Sequence, residues 1–236
     1  MKNSVTCKNC SAENPLYNHI CSNCKYYIRD KIPNIDIWET IGLIIESPLK
    51  SFQRIIFSEH KNFVVFLTLF FALRILIVTR FISLLGNDFT SSTTPIILTY
   101  VMILLGLTLV LITFFVSIGF TLKKMDYSIR IKDLYSVYMY SSILNIFSIV
   151  ILFPIQLIVF GDYLFSTNPN PFQVKPILAY ILAGFEIGIV IWSLILNYIS
   201  FKVLTCNNGA GFIITLLLNV ILVGLIYLSS QYVFYL

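Results

Sequence analysis

The chain has 236 residues, of which 58% are apolar and 11% are charged, and its formal net charge is +5. A soluble domain carries about 25% charged residues, so this composition argues against a water-soluble protein and predicts an integral membrane protein. The positive charge does not indicate nucleic-acid binding, because the first 62 residues mix eight Lys and Arg with six Asp and Glu instead of forming a basic stripe.

Four cysteines lie near the start of the chain, in the stretch CKNCSAENPLYNHICSNCK. Cys7 and Cys10 form one C-x2-C pair, and Cys21 and Cys24 form a second pair after ten intervening residues. Two such turns can present four thiolates to one ion in the tetrahedral arrangement that Zn²⁺ adopts in structural sites. Two disulfides are the alternative, but they require an oxidising compartment, which the topology predicted below does not provide. We therefore predict a structural zinc site, with His19 as a surface residue and not a ligand.

This stretch resembles the short zinc-ribbon modules at the N-termini of many prokaryotic membrane proteins. Their usual form is close to C-P-x-C-G followed by a second C-P-x-C-G, and the intervening SAENP is similar to their loop. The sequence differs from that form at Lys8 and Ser22, where proline is common, and at Ser11 and Lys25, where glycine is common. These differences leave all four ligands in place, so the resemblance implies a folded zinc ribbon in residues 1–30.

Residues 31–62 form an amphipathic segment that leads to the first long apolar run. The large apolar residues of this segment recur at spacings of three and four, which is the repeat of one helix face. They are Trp38, Ile41, Ile45, Leu49, Phe52 and Ile56. Ser47 followed by Pro48 suits the cap and first turn of a new helix, so we expect two short helices with a break at this point.

Membrane-surface contact is the interpretation that we favour for this segment. Trp38 and Phe52 lie on the apolar side, and Lys50 and Arg54 lie among the polar positions. A helix with two such sides suits the surface of an anionic inner leaflet. The alternative is an amphipathic helix that packs on the protein's own loops.

Five apolar stretches reach the length of about 20 residues that a helix needs to cross a bilayer. They cover approximately residues 63–85, 96–118, 138–160, 177–200 and 212–235. The apolar runs are continuous and lack the alternation of barrel strands, so the spans are expected to be helices. The predicted fold class is therefore an all-α integral membrane protein, with five transmembrane helices in residues 63–236, an amphipathic juxtamembrane segment and a small four-cysteine zinc ribbon.

The distribution of Lys and Arg predicts that the N-terminus is cytosolic. With this orientation, the cytosolic segments hold thirteen Lys and Arg residues, and the outer loops hold one, Lys175. Positively charged residues concentrate in the cytosolic loops of membrane proteins, which makes the opposite orientation unfavourable. An odd number of spans then places the C-terminus outside.

The strings WETIG and ESPLKSFQRII, followed by the first apolar run, resemble the opening of the Yip domain family. Members of this family are five-span membrane proteins named for binding Ypt/Rab GTPases. The resemblance covers about residues 37–236 and also rests on the number of spans and the inside N-terminus. It implies a non-enzymatic protein of membrane trafficking or membrane organisation. Fusions to zinc ribbons belong to prokaryotic members, so we expect the cell membrane of a prokaryote.

Two ionisable residues lie near the middle of predicted spans, where an unpaired charge costs about 3 kcal/mol. Arg74 lies in the first span and Glu186 in the fourth, at similar depths, so we predict an ion pair between them. Gly184 and Gly188 flank Glu186 in the string GFEIG, a spacing that lets another helix approach closely. A relay of protons or ions through Glu186 is the functional alternative, but one acid without a chain of others favours a structural pair.

The chain carries no P-loop, nucleophile elbow or H-E-x-x-H motif, so an enzyme is not expected. We predict a non-enzymatic multi-pass membrane protein that docks a cytosolic or membrane protein partner through its zinc ribbon, in membrane organisation, trafficking or complex assembly. The alternative is a small-solute or ion transporter that uses Arg74 and Glu186. The expected partners are the lipid bilayer and a protein at the ribbon but no nucleic acid, and the oligomeric state stays open.

Overall fold

The computed structural model of the protein describes residues 2–86, 95–166 and 168–232. In these residues one small antiparallel sheet precedes a series of helices. The strands are β1 (Ser4–Thr6) and β2 (Glu13–Pro15), and the helices are α1 (Ile37–Glu46), α2 (Pro48–Phe57), α3 (Val64–Gly86), α4 (Ile96–Lys124), α5 (Ile131–Ser141), α6 (Ile143–Phe147), α7 (Phe153–Phe160), α8 (Pro171–Val174), α9 (Pro176–Thr205) and α10 (Asn208–Tyr232).

Five helical segments are long and apolar enough to cross a membrane, as the sequence predicts. They are Val64–Ser83, Ile96–Lys124, Ile143–Phe165, Pro176–Thr205 and Asn208–Gln231. The third begins later than the predicted residues 138–160, because the helix is interrupted at Ser142, where the backbone has φ −85° and ψ 5°. Helix α5, which precedes this interruption, is a separate element that carries the buried Asp133.

The chain divides into two compact units. As far as their residues are described, the first consists of Met1–Val65, Leu111–Ser141 and Ile195–Leu218, and the second of Phe66–Val110, Ser142–Leu194 and Asn219–Leu236. The N-terminal cysteines therefore belong to the first unit, together with α1, α2 and α5. Arg74 and Glu186 both belong to the second unit.

In the first unit, the N-terminal segment is tied to the residues that follow α4. Strand β1 pairs with β2 with Val5 opposite Asn14. Just before β1, the buried Asn3 donates from Nδ2 to the carbonyl of Ser128 at 3.1 Å and accepts from the Ser128 amide at 2.7 Å. The same amide nitrogen lies 3.4 Å from the carbonyl of Leu204. The cysteine-bearing segment is therefore part of a larger packed body.

The predicted break between the two short helices falls at Ser47, between α1 and α2. Pro48 occupies the first turn of α2, where its missing N–H costs no hydrogen bond. Ser47 differs from the expectation in one respect, because its side chain makes no capping hydrogen bond. The N-terminus of α1 does have a side-chain cap, in which Asp36 accepts from the amide of Glu39 at 2.9 Å.

Helices α9 and α10 meet in a tight connection in the first unit. At Gly211 a Cβ atom would lie 2.7 Å from the backbone nitrogen of Lys202, so only glycine fits this close approach. Asn207 caps the start of α10, since its side-chain oxygen accepts from the amides of Gly209 at 2.8 Å and Ala210 at 3.1 Å.

In the second unit, the third long helical segment changes its winding before Pro154. Residues Ser148–Leu152 form a π-helical turn between α6 and α7. Proline has no amide hydrogen, so a helix must rearrange its bonding in the turn that precedes it. The wider turn meets this need, and it begins at Ser148, a residue of the polar cluster described below.

Candidate functional site

The four N-terminal cysteines converge on one point. Their four sulfur atoms lie within 4.8 Å of one another. The distances from Cys7 Sγ to Cys24 Sγ and from Cys10 Sγ to Cys21 Sγ are both 3.6 Å. A disulfide needs about 2.05 Å, whereas sulfurs around a tetrahedral zinc with bonds of about 2.3 Å are about 3.8 Å apart. The arrangement therefore suits a single metal ion and not two disulfides.

Each C-x2-C pair forms the same tight turn. The amide of Ser11 donates to the carbonyl of Cys7 at 2.9 Å, and the amide of Lys25 donates to the carbonyl of Cys21 at 3.2 Å. Ser11 and Lys25 have φ values of 54° and 61°, in the left-handed region that glycine adopts most easily. Glycine would adopt this geometry with less strain than serine or lysine, and the turn places the two sulfurs of each pair side by side.

Asn14 links the two turns. Its Nδ2 donates to the carbonyl of Ala12 at 2.9 Å and lies 3.5 Å from Cys21 Sγ, and its Oδ1 accepts from the amide of Ser22 at 2.8 Å. The side chain has no exposed surface. Sequence reasoning missed Asn14, because an asparagine in a polar loop carries no signal that distinguishes a buried bridge from a solvated residue.

The thiols differ in acidity because the backbone stabilises some thiolates and the cluster opposes others. Hydrogen bonds led by the amide of Cys24 lower the pKa of Cys21 to about 6. The pKa of Cys24 is lowered as well, mainly by the amide of Tyr26. At Cys10 the amide of Ala12 lowers the pKa, but the neighbouring thiols outweigh it and raise the pKa to about 11. Without a cation the last thiol resists ionisation, so a bound metal ion would supply the missing positive charge.

The donor set fits a structural site. Four sulfur ligands complete a tetrahedral shell and leave no position for water or substrate. The fifth cysteine, Cys206, is exposed and lies apart from this cluster in the α9–α10 connection. Metal held by the four N-terminal cysteines would therefore stabilise the segment and would not activate a nucleophile.

The second unit brings Arg74 and Glu186 together, although they are 112 residues apart. Arg74 Nη2 contacts Glu186 Oε2 directly, and Nη1 lies 3.4 Å from Oε1. The carboxylate also accepts from Ser148 Oγ at 3.1 Å and from Gln156 Nε2 at 3.0 Å. Three side chains from two other helical segments thus neutralise and hydrogen-bond one acid. The sequence predicted a pair of Arg74 with Glu186, but its analysis did not include Ser148 or Gln156 among the contacts of the carboxylate.

The glycines beside Glu186 face open space. A Cβ atom added at Gly184 or at Gly188 would meet no atom within 4 Å beyond its own helix and chain neighbours. Both glycines line an apolar groove of about 460 Å³, together with Phe185 and Trp192. The close helix contact that their spacing suggests is therefore not made within the described residues of this chain.

The four residues predicted at the membrane surface have different environments. Trp38 is 77% exposed, and Lys50 is exposed as well. Phe52, in contrast, has no exposed surface, so it packs inside the protein and cannot face lipid. The periodicity places Phe52 on the same face as Trp38, but the break at Ser47 turns α2 onto the rest of the first unit. Arg54 pairs with Glu39 through Nη1 and, at 2.7 Å, through Nη2.

A second ionic cluster lies in the first unit, around Asp133. Its side chain is 1% exposed and lies 3.2 Å from Lys61 Nζ and 2.7 Å from Arg130 Nε. Lys61 Nζ also donates to the carbonyl of Ile55 and, at 3.0 Å, to the carbonyl of Ser58, which closes the C-terminal end of α2. Burial lowers the pKa of Lys61 to about 8, against the attraction of Asp133. From the sequence, Lys61 was expected among the polar positions of the amphipathic segment and Arg130 only as a cytosolic loop cation, and neither was expected to contact Asp133.

Nothing matches this chain in comparisons with protein families, with characterised proteins and with solved structures. The geometry of the two units therefore carries the functional argument.

Proposed function

We propose that this protein is a non-enzymatic multi-pass membrane protein whose N-terminal segment forms a cytosolic zinc ribbon. The single observation that carries the proposal is the convergence of four thiols in a chain with five helices long and apolar enough to span a bilayer. The combination of a thiol cluster with long apolar helices suits a protein that its helices anchor in the membrane. The metal-stabilised module would then lie on the reducing side. The asymmetry of Lys and Arg supports a cytosolic N-terminus and an outside C-terminus.

Metal analysis tests the identity of the ion. The purified full chain is expected to hold one zinc per molecule, and Cys21→Ser is expected to lose it. Cys206→Ser is the matched control, because Cys206 is exposed and outside the cluster. Iron instead of zinc, or an equal metal content in the Cys21→Ser variant, would contradict the assignment.

Thiol labelling tests the orientation. Cys206 lies in a loop that the proposal places in the cytosol, so a membrane-impermeant maleimide should label it in inverted vesicles and not in intact cells. Lys175→Cys, made in a Cys206→Ser background, supplies the control, since residue 175 belongs to a proposed outer loop. Labelling of Cys206 in intact cells would refute the orientation and reopen the disulfide alternative.

The exposed residues of α1 and of the first turn of α2 support contact with the membrane surface. Trp38 and Ile45 are exposed two turns apart on α1, and Leu49 and Lys50 are exposed at the start of α2. Exposed apolar side chains beside a cation suit the boundary between anionic headgroups and acyl chains. Arg54 contributes less, because Glu39 offsets its charge.

The exposed aromatic residues beside the second cysteine pair support partner docking at the ribbon. Tyr26 and Tyr27 are 51% and 70% exposed. The carbonyl of Tyr26 accepts from the amide of Cys21 at 2.9 Å, so the cysteine turn holds this pair in place. Exposed tyrosines on a rigid support are typical anchors of protein interfaces.

Site-specific photocrosslinking tests the docking role. A photoreactive side chain at position 27 is expected to give a defined adduct in native membranes, whereas the same group at the exposed Lys8 is not. Cys21→Ser should abolish the adduct while the protein stays in the membrane. Equal adducts at both positions would contradict docking through Tyr27.

Membrane organisation, trafficking or complex assembly is the process we propose, in line with the Yip-like segment at residues 37–56.

Transport is the second candidate function, and the surroundings of Glu186 count against it. Arg74, Ser148 and Gln156 already use the carboxylate oxygens, so a transported cation would have to displace a guanidinium. Flux through proteoliposomes separates the alternatives. A docking protein should pass no ions or small solutes, whereas flux that disappears in Glu186→Gln would favour transport.

A further inference from the structure

A cavity of about 480 Å³ with both polar and apolar walls lies in the first unit, beside the second cysteine pair. Its walls come from the cysteine-bearing segment, from the segment after it, from the end of α2 and from Arg130, which directly precedes α5. The residues that the argument uses are Tyr17, His19, Lys25, Lys31, Glu59 and Arg130. Cations outnumber carboxylates in this wall, and the hydroxyl of Tyr17 and the imidazole of His19 add polar groups.

Both carboxylates near the cavity are already engaged. Glu59 pairs with Lys31 at 3.1 Å, and this contact lowers the pKa of Glu59. Asp133 is shared between Lys61 and Arg130. Two carboxylates thus pair with three cations, so the positive side chains at and beside the cavity outnumber the carboxylates that contact them.

Arg29 adds a fourth cation, and it makes no direct ion pair within the described residues. Its Nε and Nη2 donate to the backbone carbonyls of Asn18 and Tyr17, and its guanidinium lies 3.6 Å from the centre of the Phe57 ring. Its Nη1 is buried and has no hydrogen-bond partner among the described residues. Burial, together with the nearby Arg130, lowers the pKa of Arg29 to about 10, against the attraction of Asp133. The positive charge of Arg29 is thus held in a buried position where it is destabilised, and a bound anion nearby would stabilise it.

The cationic side chains of the wall are placed to receive an anion. Arg130 donates from Nε and Nη2 to Asp133 and from Nη2 to the carbonyl of Ile56, and its guanidinium lies 4.2 Å from the centre of the Tyr17 ring. Its Nη1 has no hydrogen-bond partner among the described residues and is the nitrogen that an anion would meet. Lys25 is exposed, and its Nζ is 3.4 Å from the carbonyl of Ser22. A planar guanidinium beside mobile ammonium groups is a common combination for binding phosphate.

The four-cysteine centre is the other source of negative charge in this region. Four thiolates around a divalent ion would carry a formal charge of about −2. Hydrogen bonds to the sulfurs come from backbone amides and from Asn14. Arg29 instead directs its donors to carbonyl groups and to the ring of Phe57, so the sulfurs do not satisfy its side chain.

We propose that this cavity binds a phosphate-bearing anion through Lys25, Lys31 and Arg130, with Arg29 adding positive charge behind the wall. The same chemistry can come from the headgroup of an anionic phospholipid or from a soluble phosphate ester. The inference goes beyond partner docking at Tyr26 and Tyr27, because it concerns a cavity and a small ligand, and it does not depend on that docking.

Two lysines provide a matched pair of variants for the test. Lys25 and Lys8 are both exposed, and each directly follows a cysteine of the cluster, but only Lys25 lines the cavity. Isothermal titration of the full chain in detergent, with inorganic phosphate and with glycerol 3-phosphate at constant ionic strength, measures the soluble arm. Lys25→Gln should weaken binding about fivefold, and Lys8→Gln should leave it unchanged. Lys31→Gln should weaken binding more, because it also frees Glu59 to repel the anion.

Native mass spectrometry after reconstitution with phosphatidylglycerol and phosphatidylcholine measures the lipid arm. Preferential retention of phosphatidylglycerol by the wild type, reduced by Lys25→Gln and Lys31→Gln but not by Lys8→Gln, assigns the ligand to a headgroup. A response in titration alone assigns it to a soluble phosphate ester. Metal content is measured for every variant, so that loss of the ribbon is recognised, and Lys31→Gln tests the cavity without altering a neighbour of a cysteine. Absence of binding in both arms, or equal effects of Lys25→Gln and Lys8→Gln, overturns the proposal.

Discussion

Two clusters of acidic groups, one in each unit, deal with the same electrostatic problem in different ways. Four thiols converge within 4.8 Å near the N-terminus, and their hydrogen bonds come from amides and Asn14. Glu186 instead contacts Arg74 directly and accepts from Ser148 and Gln156. The hydrogen bonds that the described residues give to the cysteine cluster come from neutral groups, so the cluster is suited to a metal ion. The carboxylate has a permanent cation from the chain, so it needs none.

The two clusters also differ in how the chain assembles them. The cysteines span eighteen residues and are placed by two local turns with matching hydrogen bonds. Arg74 and Glu186 are 112 residues apart and meet only when their helices pack. The buried apolar side chains of residues 2–30 are those of Cys7 and Cys21, so these turns depend on a bound metal for most of their stability, whereas the packed helices provide their own. Removal of the metal ion should therefore unfold the cysteine segment, whereas removal of the Glu186 charge should only lower the stability of the helices.

Loss of the metal should have the largest effect. Chelation, or Cys21→Ser, is expected to unfold residues 2–30, because metal binding supplies on the order of 10 kcal/mol to such segments. Hydrogen exchange should then accelerate through the ribbon and at Ser128, whose amide is held by Asn3. Cys206→Ser should retain full protection. Unchanged exchange in the Cys21→Ser variant would show that the segment is stable without its ligand set.

Removal of Glu186 should have the next largest effect. Glu186→Met leaves Arg74 buried without a counter-charge and is expected to cost about 3 kcal/mol, measured by unfolding in mixed detergent. The double variant Arg74→Met with Glu186→Met should recover most of this loss, because no charge remains unpaired. The exchange of Arg74→Glu with Glu186→Arg should also be more stable than either single change. A double variant as unstable as Glu186→Met would mean that the two residues act separately.

Lys61 has a charged partner within the chain, but the attraction of Asp133 only partly offsets the cost of burying its ammonium group. The pKa of Lys61 is about 8, against 10.5 for an ordinary lysine. Between these values the unfolded chain binds more protons than the folded chain, so this residue makes stability rise with pH. The rise is on the order of 3 kcal/mol, and Lys61→Met should remove it. Identical pH profiles of the free energy of unfolding for the two proteins would contradict the role of burial.

Ser11→Gly should have the smallest effect, and it should be stabilising. Ser11 has φ 54°, which costs a residue with a Cβ more than it costs glycine. The gain is expected to be about 0.5 kcal/mol, measured as tighter zinc retention against a chelator. Ser22→Gly is the control, because it adds flexibility without relieving a left-handed backbone. Weaker zinc retention in Ser11→Gly would show that the serine side chain contributes to the turn.

Several features could be predicted from the sequence because their cause is local. The cysteine spacing identified all four residues that converge, and the pair Ser47–Pro48 identified the break between α1 and α2. Long apolar runs predicted five helices, although the third begins at Ile143. Each of these signals depends on residues a few positions apart.

Features that depend on distant residues were missed. The exposure of Phe52 was predicted from the repeat of a single helix, but the repeat continues through a break that reorients α2. The sequence did not indicate that Lys61 and Arg130 would share Asp133, because a charged residue near a span suits many roles. Ser148 was missed because its hydroxyl reaches Glu186 from a π-helical turn, which apolar periodicity does not reveal.

The sequence by itself therefore determined the chemical inventory: four thiols in two tight turns, five apolar helices and two opposite charges within them. Tertiary structure alone decided which charges are neutralised, since the strength of an ionic contact depends on distance and burial, and these arise only when separate segments pack. It also decided that Arg29 and the wall of the cavity hold more positive charge than their carboxylates balance. The conformation of a backbone turn depends on neighbouring residues, whereas the neutralisation of a charge depends on which distant residues the folded chain brings into contact with it.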